Sequence, residues 1–289
     1  MKLENIKRRA KNIISWKIRL KIKLLEAKHP KLMPHFLKQK SDPKLYNDAF
    51  YNALRKMNIE DFEGKTICEL GPGQFLAHAL LFYQMGGVAS YLLEIDDFAN
   101  QKSEVRIDKN MILDENFNRV RKLPTPKDHI TWQQYLKQIN AEYYTDGIQG
   151  YLRVPTNSID YIFSFSVVEH IRKNVFKKSM EEIYRMMKPG GMAYHTVDLK
   201  DHFGGGKNHL RYPDNVWHNE IHYKLDNYTN RLTCTEICDL AEEIGFEIVF
   251  IEKRKYKELP LKRNELSTEL RGMSNEDLLI SDFMLVLRK

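Results

Sequence analysis

The chain has 289 residues, 42% hydrophobic and 29% charged, which supplies apolar material for a core and carries no signature of disorder. Three cysteines inside apolar segments exclude a disulfide framework, the best apolar run (ALLFYQMGGVASYLL) is cut by Gln84 and Gly86-Gly87 before it could span a bilayer, and no secretory signal opens the chain, so a cytoplasmic protein is expected. The net charge of +7 is uneven: residues 1–40 hold 13 Lys or Arg against Glu4 and Glu26, a net +11, which leaves a mildly acidic body of −4.

In the basic arm, Trp16, Ile18, Leu20, Ile22 and Leu24 alternate with basic residues. Strict alternation suggests a strand, but Lys, Arg and Leu favour a helix, and a helix is expected. Its apolar side could pack on the body or on a second subunit. Its charge could instead hold an anionic membrane surface at the inner face, at roughly 1 kcal/mol per basic residue, or neutralise phosphates; no specific nucleic-acid partner is expected. Pro30, Pro34 and Pro43 break this region, and residues 1–60 read as a mainly helical extension ending in the helix PKLYNDAFYNALRKMN.

The main domain, 61–289, opens with strand KTICEL, helix QFLAHALLFYQMG and strand ASYLLEI, then an irregular helical stretch. Helix TWQQYLKQIN, strand IDYIFSFS, helix KSMEEIYRMMK stopped by PGG, and strand MAYHTV follow. Helix TCTEICDLAEEIG, closed by Gly245, leads to strands FEIVFIEK and DFMLVLRK. Alternating strands and helices predict a doubly wound α/β domain with a parallel sheet covered on both faces. The last strand needs no helix before it and can enter antiparallel at the sheet edge.

The turn after the first strand reads CELGPGQFL. A dinucleotide fingerprint would place a third glycine at Leu76. No Lys-Ser/Thr pair closes the turn, which removes an ATP-type phosphate loop. Glu69, two residues before Gly71, repels phosphate and suits a ligand carrying ammonium and sulfonium groups, while Gly71 and Gly73 allow close backbone approach. Glu94 stands 21 residues after Gly73, where an acid holds ribose hydroxyls; Asp96 and Asp97 compete for that role.

KTICELGPGQF, YLLEID, IDYIFSFSVVEHI and MKPGGMAYHTVD together resemble class I S-adenosylmethionine-dependent methyltransferases over roughly residues 60–255. The resemblance implies a Rossmann-like seven-stranded sheet with an antiparallel last strand, S-adenosylmethionine as donor and S-adenosylhomocysteine as product. By it, Glu69, Gly71 and Gly73 face the methionine part and Glu94, with Ile95 beside it, takes the ribose. Asp146, Gly147 and Ile148, from the loop YYTDGIQGYL between the third and fourth strands, cap the adenine, and Ser166 ends the fourth strand beside the methyl.

The acceptor is narrowed by what stands at that strand end. Ser164-Phe165-Ser166-Val167 replaces the Asn/Asp-Pro-Pro-aromatic turn of exocyclic-amine methyltransferases, and no cysteine is placed to attack a base. Glu169-His170 could bind a divalent ion only with further ligands. Ser166 stands where some relatives with a metal carry a second carboxylate, so no metal is expected and the pair is assigned to the acceptor wall.

His195–His222 holds five of the ten histidines, with Asp198, Asp201, Asp214 and Glu220. Methylating a sugar hydroxyl requires a base, and His195, Asp198 and His202 are the leading set. His209, Arg211 and Trp217, with Tyr212, are candidates to clamp a phosphate and stack on a sugar or base. Residues 199–225 read as a substrate-binding insertion. HTVDLKDHF, NHLRYPDNVW and NRLT resemble methyltransferases of bacterial surface polysaccharides, which implies O-methylation of a nucleotide-activated sugar or lipid-linked glycan. The rival readings are an RNA or small-molecule N/O-methyltransferase of the same fold, and a non-catalytic cofactor-binding scaffold.

Overall fold

Strand β1 (Thr66–Leu70) is buried at four of its five positions, because it lies mid-sheet with neighbours on both edges and helices on both faces. The computed structural model describes residues 18, 20, 21, 25, 43–113, 117, 121–223 and 228–289. Within them, seven strands form one sheet in the order β3-β2-β1-β4-β5-β7-β6. β2 (Ala89–Leu93), β3 (Ala141–Tyr144), β4 (Ile159–Phe165) and β5 (Met187–Asp198) run parallel to β1. β7 (Ile280–Arg288) is antiparallel to both β5 and β6 (Glu247–Lys255). The sheet thus has the expected α/β, Rossmann-like form, with one correction: the antiparallel strand is internal, and β6 takes the edge.

The pleat sorts the core into two layers. Phe163 and Tyr194 face α1 (Pro43–Met57) and α2 (Ala77–Gln84), among Phe50, Leu54, Phe62 and Phe82. Ile162 and Ala193 face the opposite layer, with Phe176, Met180 and Ile183 of α5 (Lys173–Met186) and Ile237 and Ala241 of α8 (Cys234–Ile244). α3 (Trp132–Gln138) covers β2 and β3 through Tyr135 and Leu136. Local signals set the helix ends. Thr233 and Glu236 form a capping box at the start of α8, and Gly245 closes it at φ +112°.

Two further differences have physical causes. AEYY was not legible as a strand because four residues carry too little alternation, and its Tyr143 and Tyr144 were assigned to the loop; α4 (Ile148–Arg153) then starts where that loop was drawn. K-P-G-G does not stop the chain between helix and strand. β5 begins at Met187, paired with Ile159, and the register jumps to Tyr161↔Met192 as Pro189-Gly190-Gly191 bulge out.

After β5 the chain packs a small layer of its own. α6 (Asp214–Trp217) and α7 (Glu220–Tyr223) place Trp217 against Phe203 and Tyr228. Leu20, from the basic arm, is buried in that cluster and is helical, whereas Ile18 is exposed. Trp16, Ile22, Leu24, Pro30 and Pro34 of the arm lie outside the described residues. No helix among the described residues is long and apolar enough to cross a membrane.

Candidate functional site

The glycine turn sits where β1 ends and is shaped by backbone. Gly71 has φ +66°, and a Cβ there would lie 2.4 Å from Val167 Cγ2, so the turn closes directly on the chain leaving β4. Gly73 is also left-handed (φ +67°), with Tyr46 alongside. Leu76, at the absent third glycine, takes φ +50° as the residue before α2 and is fully buried. A left-handed leucine costs about 1–2 kcal/mol, which burial of its side chain can offset.

Glu94, just past β2, reaches back to that turn. Its Oε2 accepts from Gly73 N at 3.3 Å and its Oε1 from Ile95 N at 2.9 Å. Burial raises its carboxyl to about 6, against the pull of those two amides. Glu94 N donates to Tyr144 O and Gly147 N to Glu94 O, which ties the ends of β2 and β3 together. Ile95 is 73% exposed and close to Gly147, which has φ +61°. Asp146 pairs with Arg153. The rival acids point elsewhere: Asp96 accepts from Asp97 N, and Asp97 from Gln101 N.

Glu69 is not the open anion its sequence position suggests. It is buried at 1% exposure, with Oε1 2.5 Å from His78 Nδ1 of α2. His78 Nε2 lies 3.2 Å from Tyr46 O, and the ring stacks on Phe50 at 4.8 Å. Glu69 Oε2 has no hydrogen-bond partner among the described residues. His78 was missed in the sequence, although a histidine in the otherwise apolar AHALLF, one α2 face from the turn, was a usable signal.

At the ends of β4 and β5 the predicted residues divide. Ser166, exposed and at φ +56°, donates its N–H to Thr196 O. His195, two places from Ala193 and Val197, faces the layer of α5 and α8, with Nδ1 2.7 Å from Ser164 Oγ, and burial holds its imidazole down to about 4. Asp198 is an odd number of positions along the same strand, so its side chain leaves the other face. His195 is therefore not grouped with Asp198 and His202.

The structure does bring Glu169, His170, Asp198 and His202 together. Glu169 is 1% exposed; Oε1 accepts from Asp198 N at 3.1 Å, Oε2 has no hydrogen-bond partner among the described residues, and burial pushes the carboxyl up to about 8. The His170 and His202 rings meet edge to face at 5.0 Å. Asp198 Oδ2 lies 3.7 Å from His202 Nε2, and Asp198 Oδ1 holds Lys200 at 2.8 Å. Asn230 locks the wall: its N donates to Glu169 O, and its Nδ2 to Val168 O and Ile171 O.

Three residues assigned to the acceptor are structural in this arrangement. Trp217 is fully buried and donates Nε1–H to Thr229 O at 2.7 Å, so it does not present a face to a sugar. His209 is buried beside Trp217, its imidazole held well below the usual range by burial. Arg211 donates to Glu265 at 2.8 Å. Aromatic and histidine side chains here build the segment's own core.

A family model described as a methyltransferase domain matches residues 45–250. Curated proteins give no match. Solved structures similar to the chain include a putative S-adenosylmethionine-dependent methyltransferase from Listeria monocytogenes (15% identity, 85% of this chain, 98% of that chain, TM-score 0.47). A putative sarcosine dimethylglycine methyltransferase from Galdieria sulphuraria has 17% identity over 85% of this chain and 86% of its own, at TM-score 0.47. Haemonchus contortus phosphoethanolamine N-methyltransferase 2 in complex with S-adenosyl-L-methionine has 15% identity over 96% and 60%, at TM-score 0.48.

Proposed function

Because the chain belongs to the methyltransferase-domain family, we propose that it transfers a methyl group to a sugar hydroxyl of a nucleotide-activated sugar or glycan precursor. S-adenosylmethionine is the donor and S-adenosylhomocysteine the product. Gly71, Gly73 and Glu94 are the cofactor side: glycine backbone admits the ligand, and the Glu94 carboxylate accepts from ribose hydroxyls. Ile95 offers an exposed apolar face for the adenine, next to Gly147.

The observation that carries the acceptor side is the convergence of His170, His202 and Asp198 past the ends of β4 and β5. Methyl transfer is an in-line displacement at carbon. The acceptor oxygen forms the new C–O bond as the C–S bond breaks, and the sulfonium becomes a neutral thioether. The hydroxyl must shed its proton, and an imidazole of this cluster is a suitable base. The basic arm, anchored by Leu20 on the segment after β5, would suit a diphosphate-bearing substrate or an anionic membrane surface.

The test is mass spectrometry of a panel of nucleotide-sugars incubated with the protein and S-adenosylmethionine. The expected result is gain of one methyl group on a sugar. Turnover on RNA or small amines alone would transfer the reading to the rival acceptors, and cofactor binding without any turnover would favour the scaffold.

A further inference from the structure

Glu169, His170 and His202 each offer one ligand-type atom, and these atoms all lie within 4.8 Å of one another. Small side-chain rotations close that spacing around one ion with bonds of roughly 2.1 Å. We propose that the cluster binds one divalent first-row transition-metal cation in preference to Mg²⁺, leaving positions for oxygen atoms of the methyl acceptor. The sequence expectation of no metal rested on the carboxylate missing at Ser166. In the fold a second histidine, supplied from beyond β5, stands in the cluster instead.

Three independent features point to a cation. First, Glu169 Oε2 is buried and has no hydrogen-bond partner among the described residues, and a buried carboxylate oxygen without a donor is costly. The nearby lysines are engaged elsewhere. Lys200 bridges Asp198 and Asp282 at 2.8 and 3.0 Å, and Lys207 donates to Asp277 O at 2.8 Å. A cation at Oε2 would remove the cost.

Second, His170 Nδ1 donates to Tyr228 O at 2.5 Å. A carbonyl only accepts, so this bond fixes the tautomer and leaves the lone pair on Nε2. Ligating imidazoles are oriented in this way by a backbone carbonyl. Asn230 next door fixes the same wall through Glu169 O.

Third, the donor set has two imidazole nitrogens and one carboxylate. Mg²⁺ favours all-oxygen sites, whereas two nitrogens and one oxygen with open positions suit Mn²⁺, Fe²⁺, Co²⁺ or Zn²⁺. Asp198, 3.7 Å from His202, adds negative charge alongside. An acceptor oxygen bound to such an ion becomes more acidic. That would move activation of the hydroxyl from a free imidazole to the metal. The inference rests on the methyltransferase reading only in naming what fills the open positions.

The experiment uses the full chain, stripped with chelator and titrated with MnCl₂, with free Mn²⁺ followed by electron paramagnetic resonance. One Mn²⁺ per chain is expected. His202→Ala and Glu169→Gln should each weaken it by more than about tenfold, while His129→Ala, at an exposed site, leaves it unchanged. MgCl₂ in excess should displace little Mn²⁺. His202 is partly exposed, so its variant tests the site even where Glu169→Gln fails to fold. No saturable site, or one that His202→Ala leaves at wild-type affinity, overturns the proposal, and easy displacement by Mg²⁺ overturns the preference. S-adenosylhomocysteine binding to the metal-free protein, measured by calorimetry, separates the two readings. Cofactor binding without a metal site defeats this inference alone, and loss of cofactor binding defeats the methyltransferase reading.

Discussion

The two ends of the candidate site are made of different material. The proposed cofactor side is mostly backbone: two left-handed glycines, the amides of Gly73 and Ile95, and one carboxylate that gathers them. The proposed acceptor side is side chains, brought from the turn after β4, the end of β5 and the segment after it to meet at Glu169, His170, Asp198 and His202. Backbone cradles recognise a constant ligand and depend on local geometry. Side-chain clusters can be retuned for a particular acceptor, and they depend on how distant segments pack.

The sharpest test of that division is His202→Ala. Turnover should fall by about 10²–10⁴ with cofactor affinity unchanged in a calorimetric titration; equal losses in both would dissolve the contrast. His195→Ala, which removes the Ser164 partner inside the core, should instead lower Tm and leave turnover per folded molecule nearly intact.

Gly71→Ala acts on the other end. Its Cβ would collide with Val167 at φ +66°, so a loss of roughly 1–3 kcal/mol of stability is expected, with cofactor affinity falling alongside. A wild-type denaturation midpoint would show that the turn is looser than its packing implies.

Glu94→Ala should weaken S-adenosylhomocysteine by about tenfold, the worth of a hydrogen bond to a charged group. Unchanged affinity would move the ribose contact to Asp96. The smallest effect concerns pH. The Glu94 carboxyl is raised from 4.5 to about 6 by burial, so its stability contribution is present below pH 4.5 and lost as pH rises through 6. That difference is about 2 kcal/mol. Without ligand, Glu94→Gln should therefore gain Tm over wild type between those pH values, and a constant difference would show that burial does not govern the group.

What could be read in the sequence follows the same line. The glycine turn and Glu94 were legible because 21 residues of strand, helix and strand fix their spacing. Glu94 could not be ranked over Asp96 by physics of the sequence alone, since only the fold shows which carboxylate turns back to Gly73. His78 escaped because its meaning is its distance from Glu69 across a helix–sheet interface. His202 was named, but its grouping with Glu169 and His170, in place of His195, depends on how the segment after β5 folds over β4's end. Trp217 shows the opposite failure: a residue type suited to stacking on a ligand was recruited to hold the segment together.

The internal place of β7 has a consequence for assembly. β6 meets the sheet only through β7, which follows it in the chain. A nascent polypeptide can therefore complete the parallel half, including the glycine turn and β5, while β6 waits without a partner. Removing residues 280–288 would release two strands, not one, and uncover the backbone edge of β5 that pairs with β7.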